Sequence, residues 1–182
     1  MSDFRVISGV TKSLGAFLKA STGIDVDTDK SPADTIADTT PLIHIYLYRV
    51  EYSPFWMNSD EIISTPTLLT GPPVGVNLFY LITPYGPGQT NLQLTLGKVI
   101  NVINDSPFVP PTDPSLVGIV EELKIIPHML SLDQMTELSR VFGQRHYRLS
   151  ITYEVSVALI DSTITRNVQR VEERHVTVER LR

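Results

Sequence analysis

The sequence predicts an α+β fold, a largely antiparallel sheet with about three flanking helices. Three observations carry this reading. In Tyr147–Ile160, Leu149, Ile151, Tyr153, Val155, Val157 and Leu159 alternate with Arg148, Ser150, Thr152, Glu154 and Ser156. Period two marks a strand with one face buried. Asp3–Ala20 instead repeats at helical spacing, with Phe4, Ile7, Val10, Leu14, Phe17 and Leu18 in one stripe. Ser131 and Gln134 have capping-box spacing, so each side chain can bond the other's backbone amide and start a helix.

The elements follow in order. Ser2 is placed to cap the first helix and Gly23 to stop it. The Asp-rich stretch 25–40 reads as a loop. Pro41–Tyr52 reads as a strand, with Ile43, Ile45 and Leu47 on one face and His44, Tyr46 and Tyr48 on the other. Ser53–Pro73, rich in proline, reads as irregular chain. Val74–Thr83 is a second strong strand, and Pro84–Gly88 a turn. Asn91–Asn104 reads as a helix facing inward through Leu92, Leu96, Val99 and Ile103, weakened by Gly97. Pro107–Pro114 is a loop, and 116–129 is extended from Glu122 onward. Leu130 and Met135 are spaced as a hydrophobic staple around the start of the third helix, which Gly143 ends. Asp161–Thr165 is a turn, and the chain beyond returns as a polar strand or arm. Residues 1–182 read as one domain, with 163–182 as its C-terminal arm.

Composition narrows the function. Of 182 residues, 42% are hydrophobic and 19% charged, which is globular material. A net charge of −5 argues against general binding to nucleic acid, whose phosphates need a basic surface. With no cysteine, disulfides, thiolate metal sites and cysteine nucleophiles are excluded. Asp3 and Arg5 interrupt any signal-peptide core, and no apolar run reaches membrane-spanning length. A reducing cytoplasm is the expected compartment.

The motifs that could carry chemistry each fail at a named position. Asp25, Asp27 and Asp29 alternate like the opening of a calcium loop. Its sixth position should be Gly and is Lys30, and its twelfth should be Glu and is Ile36. An acidic loop is the better reading. The four histidines (His44, His128, His146 and His175) are not spaced for metal ligation on a helix. No Gly-x-Ser-x-Gly elbow exists, and the segments Gly71–Gly75 and Gly86–Gly88 carry prolines where a phosphate cradle needs N–H groups. No catalytic residue, metal ligand or cofactor is expected.

Two features suit contact between proteins. Phe55 and Trp56, the only tryptophan, fall in the irregular segment, where large aromatics can anchor an interface. The competing reading has Trp56 fold back into its own core. The second feature is charge. Residues 140–182 hold eight basic against five acidic residues, net +3; the rest holds seven against fifteen, net −8. Arg166, Arg170, Arg174 and Arg180 lie in the arm. Opposite charge within one subunit favours head-to-tail contacts between copies; the competing reading is an ordinary solvated terminus.

Several segments also resemble a known family. They are Leu47-Tyr-Arg-Val-Glu51, Asn77-Leu-Phe-Tyr-Leu-Ile-Thr-Pro-Tyr-Gly86 and Leu96-Gly-Lys98, then Leu130-Ser-Leu-Asp-Gln-Met-Thr-Glu-Leu138 and Tyr147-Arg-Leu-Ser-Ile-Thr-Tyr-Glu-Val155 through Ser162. In this order they resemble the cap, or tail-terminator, family of extracellular contractile injection systems, phage-tail-like particles of the antifeeding-prophage and virulence-cassette type. The resemblance implies a tail-terminator-like fold and a homohexameric ring that sits on the terminal layer of inner tube and contractile sheath and stops their growth. It implies no catalytic residue and no cofactor, and no nucleic acid or membrane is expected as a partner from the charge and apolar runs above. It places assembly in the bacterial cytoplasm, in a particle that is released or stays there. A connector or tail-completion ring is the nearest alternative, and a cation-binding or enzymatic domain a more distant one.

Overall fold

The structure, a computed structural model, describes residues 4–34, 36–56, 60–65, 67–114, 116, 122–143 and 148–167. The elements run α1 (Val6–Thr22), β1 (Asp25–Asp27), β2 (Leu42–Tyr52), a 3-10 turn (Pro54–Trp56), β3 (Ile62–Thr65), β4 (Leu68–Thr70) and β5 (Val74–Tyr85). They continue with α2 (Gln89–Asp105), β6 (Phe108–Val109), β7 (Leu123–Pro127), α3 (Leu132–Val141), β8 (Ile151–Ile160) and β9 (Thr165–Asn167). A six-stranded sheet has the order β1-β2-β5-β8-β7-β6, and a three-stranded sheet the order β3-β4-β9. Among the described residues only β1 and β2 pair in parallel; the other pairings are antiparallel. The α+β class agrees with the sequence reading.

Side chains alternate across the large sheet and so divide its faces. Ile43, Ile45, Leu78, Tyr80, Ile82, Tyr153 and Val155 are buried in one core with Val6, Val10, Leu14 and Leu18 of α1 and Val99 and Ile103 of α2. Each such aliphatic side chain contributes roughly 1.5–3 kcal/mol of burial. Tyr80 keeps a polar end in that core, and its hydroxyl meets Thr11 Oγ1 at 2.9 Å. Ser13, also fully buried, accepts from the backbone N–H of Thr112 and Asp113 and ties the loop before β7 to α1. The opposite face is aromatic and polar. His44, Tyr46, Phe79 and Tyr85 lie there, and Phe142 at the end of α3 meets Tyr46 edge-on, with ring centroids 5.1 Å apart.

The helix signals act as their chemistry demands. Gly23 takes the left-handed conformation, φ 69°, and donates to the Lys19 carbonyl. At α3 both capping-box bonds form, Gln134 N to Ser131 Oγ and Ser131 N to Gln134 Oε1. Ser2 lies outside the described residues.

Several expectations need correction. α1 begins at Val6, and Phe4 projects into solvent, so Val6 takes the place assigned to Phe4 in the apolar stripe. In α2, Thr95 is buried while Leu92 and Leu96 are half-buried. The loop 25–40 contains β1, whose aspartates Asp25 and Asp27 sit on an edge where charge is tolerated. The segment 53–73 contains β3 and β4, strands too short for an alternation to declare them. β5 runs through Pro84 to Tyr85, into the expected turn. β8 starts at Ile151, and its strict alternation breaks. Val155 faces Leu78 and Ala158 faces Val76, so β8 holds one residue more than its partner between those pairs.

Candidate functional site

Without a cofactor motif, the candidate site is a set of surfaces. β2 ends, β5 begins and β8 ends at one end of the large sheet, and the small sheet continues from there. The 3-10 turn is hung on that end by two backbone bonds, Ser53 N to Gly75 O and Trp56 N to Ser53 O. Gly75 is needed where Trp56 crosses it. A Cβ at that position would stand 2.7 Å from Trp56 Cδ1. Trp56 is therefore half-buried against the start of β5, and lines a cleft of about 250 Å3 with Tyr52, Pro72, Pro73 and Val74. Phe55 meets the Trp56 ring edge-on, with centroids 5.9 Å apart, and is otherwise open to solvent, 85% exposed. Of the two adjacent aromatics, Trp56 packs on the start of β5, and Phe55 leaves most of its surface outside.

The arm begins as β9 beside β4, with Arg166 opposite Leu69. The Arg166 guanidinium bonds Glu61 at 2.7 Å across the small sheet, so this arginine is engaged within its own chain. Arg170, Arg174 and Arg180 lie outside the described residues.

Among the described residues, the β2 edge of the large sheet is only partly covered. β1 covers only Leu42–His44 of β2, and no strand among the described residues pairs with the outer edge of Ile45–Tyr52. A groove of about 500 Å3 runs beside it, between Ile7 and Thr11 of α1, the 28–31 turn, and Tyr46 and Leu47. Open backbone groups beside a groove can take an added strand.

The charged groups near these surfaces are mostly spent on structure. Arg148 holds both Asp38 oxygens, at 3.1 and 3.0 Å, and lies over the Tyr85 ring. That guanidinium keeps the Asp38 carboxyl below its ordinary range, and Asp38 in turn raises Arg148. Burial pushes the Tyr85 phenol up. Asp25 pairs with Lys19 at 2.9 Å. Burial alone would raise Asp27, but the N–H groups of Asp29 and Lys30 and the Lys30 ammonium bring it below its ordinary range. Asp27 thus builds a turn. His44 Nε2 lies 2.9 Å from the Lys30 carbonyl, and the His128 ring packs edge-on against Phe79. Among the described residues no group of His, Asp or Glu side chains is placed to hold a metal ion. No described helix is long and apolar enough to cross a membrane.

One surface escaped the sequence reading. Leu130 and Met135 lie together at the start of α3, where the staple spacing puts them, but Met129, Leu132 and Val141 turn outward. Between the end of β7 and α3, Met129 and Leu132 border a groove of about 470 Å3, lined also by Pro127, Leu130, Met135 and Ile151. A Met–Leu–x–Leu string around a capping box was the available signal, since a staple accounts for only one of its three apolar residues.

This arrangement is similar to solved terminators of contractile tails. The chain is similar over 97% of its length to the sheath/tube terminator, in the extended state, of the extracellular contractile injection system PVC, at 20% identity and a TM-score of 0.70, covering 64% of that chain. It is similar over 93% of its length to the anti-feeding prophage tube-terminating cap, at 17% identity and a TM-score of 0.67, covering 60% of that chain. It thus spans less than two thirds of either protein. The fold is that of a tail terminator. Residues 6–174 match the Pvc16 N-terminal domain, and the chain belongs to that family. No curated protein sequence matches it significantly.

Proposed function

We propose that this protein is a structural cap. It closes the distal end of a contractile phage-tail-like injection particle by seating, as a homohexameric ring, on the last layer of inner tube and sheath. The observation that carries this reading is the tail-terminator fold along nearly the whole chain, in a member of the Pvc16 N-terminal domain family. The surfaces described above favour it. A cap must bind several neighbours at once, and this fold offers an open β2 edge, an exposed aromatic and an apolar groove. The role is non-enzymatic, with assembly in the bacterial cytoplasm and a final place in a released or cytoplasmic particle.

The arm, residues 166–182, contributes contacts to tube or sheath by adding a strand or by charge. Gold-labelled protein should mark one end of each assembled particle; label along the shaft would contradict the cap. Truncation after Asn167 should leave a folded protein that no longer caps. Tails of normal length with the truncated protein would remove the arm from the account of capping.

A further inference from the structure

We infer that Phe55 of one copy seats in the groove beside α3 of the next, joining copies head to tail. The inference deepens the ring reading and rests on it.

The two surfaces stand at opposite ends of the same strands. Tyr52, Val74 and Ile160 share one end of the large sheet, next to Phe55; Leu42, Tyr85 and Ile151 share the other. His128 and Thr152 bond there, which brings the Met129–Leu132 segment and α3 to that second end. β5 spans the distance with twelve residues, roughly 40 Å of extended chain.

Each end carries strongly exposed apolar side chains. At the first end Phe55 is joined by Tyr52, Ile63 and Ile164, all at least 70% exposed. At the second, Met129 is 93% exposed, with Leu132 and Val141 above 70%. Patches of this kind mark interaction sites. Their shapes are complementary. The first presents an aromatic knob on a turn whose neighbour Trp56 is already fixed over Gly75. The second is a concave groove of about 470 Å3, ample for a phenyl ring, with methionines that can adapt to it.

A second copy is the partner that covers both at once. A two-fold contact could cover both only by laying two copies antiparallel with knob and groove exchanged, and it would stop at a dimer. A head-to-tail contact hides knob and groove in every copy, and a repeated rotation closes it into a ring. The aromatic supplies the anchor expected at the centre of such an interface.

The chain has no cysteine, so each introduced thiol is unique. Phe55→Cys and Met129→Cys change two exposed side chains and should leave folding intact. With a short bis-maleimide, a mixture of the two single variants should give a covalent dimer and no larger species. The double variant should give a ladder ending at the ring. Phe55→Asp should lower self-association at least tenfold by sedimentation velocity while keeping the wild-type melting curve. A closed wild-type ring with no link between positions 55 and 129 would overturn this contact and leave the ring standing. A wild-type protein that remains monomeric at high concentration would overturn the contact and the soluble ring together.

Discussion

The hydroxyl pair that joins α1 to the sheet has an asymmetric cost when it is broken. Thr11 Oγ1 donates to the Ile7 carbonyl at 3.1 Å, so towards Tyr80 it acts as acceptor and the Tyr80 hydroxyl as donor, at 2.9 Å. Tyr80 is fully buried and its phenol is held neutral by that burial, its pKa being raised. Thr11→Val keeps the shape and strands a buried donor, a loss of about 1–3 kcal/mol. Tyr80→Phe removes the donor and leaves a threonine oxygen that still has its own carbonyl partner, a loss of about 0.5–1.5 kcal/mol. The double variant has no stranded donor and should cost less than the two single losses added. Urea denaturation at fixed pH measures all three, and the four proteins form a double-mutant cycle. If Thr11→Val costs less than Tyr80→Phe, or if the two losses simply add, the hydroxyls do not depend on each other and the docking of α1 described here is wrong.

Three further outcomes are expected. Gly75→Ala sets a methyl against Trp56 and should cost about 1–3 kcal/mol, as overpacking does, with a change in tryptophan fluorescence; an unchanged spectrum and melting temperature would mean that Trp56 does not lie on β5. Ser131→Ala removes one arm of the capping box and should cost about 1 kcal/mol by chemical denaturation, with Ser131→Asp restoring most of it. Asp38 and Asp27 have lowered pKa values in the fold, so their contribution is complete above the ordinary carboxylate range and is lost as pH falls from there through the lowered values. Solvent screening holds the part-exposed Asp38–Arg148 pair to about 0.5–1 kcal/mol, and Asp38→Asn should flatten the loss of stability between pH 5 and pH 3 by about that much; an identical acid profile would deny the pair its role.

What could be read in the sequence was local. The α1 stripe, apart from Phe4, Gly23 and the Ser131–Gln134 box are signals whose partners lie within a turn or two, and they appear as their chemistry requires. What could not be read depends on distant chain. The pairing of β4 with β9 joins Leu69 to Arg166, and no periodicity within a three-residue strand declares a partner that far away. The bulges between Leu47 and Arg49 and between Val155 and Ala158 are set by the twist of paired strands, and they break an alternation that looked unbroken in one dimension. The candidate site divides in the same way. The exposure of Phe55 was legible from its place in a proline-rich loop, although its ring also meets Trp56 edge-on. Arg166 reads as a basic residue offered to partners, yet it binds Glu61, its neighbour only once β3, β4 and β9 are assembled. The outward placing of Met129, Leu132 and Val141 was not declared by the capping box or the staple, which mark only where α3 begins.

The capping role comes down to tail length. Particles should be assembled in cells lacking this protein and in the same cells with it restored, and their lengths measured by electron microscopy. A cap requires a broad length distribution with open or frayed distal ends in its absence, and a single sharp length on restoration. Tails of normal, uniform length with closed ends in its absence would contradict the role of this protein as the terminator.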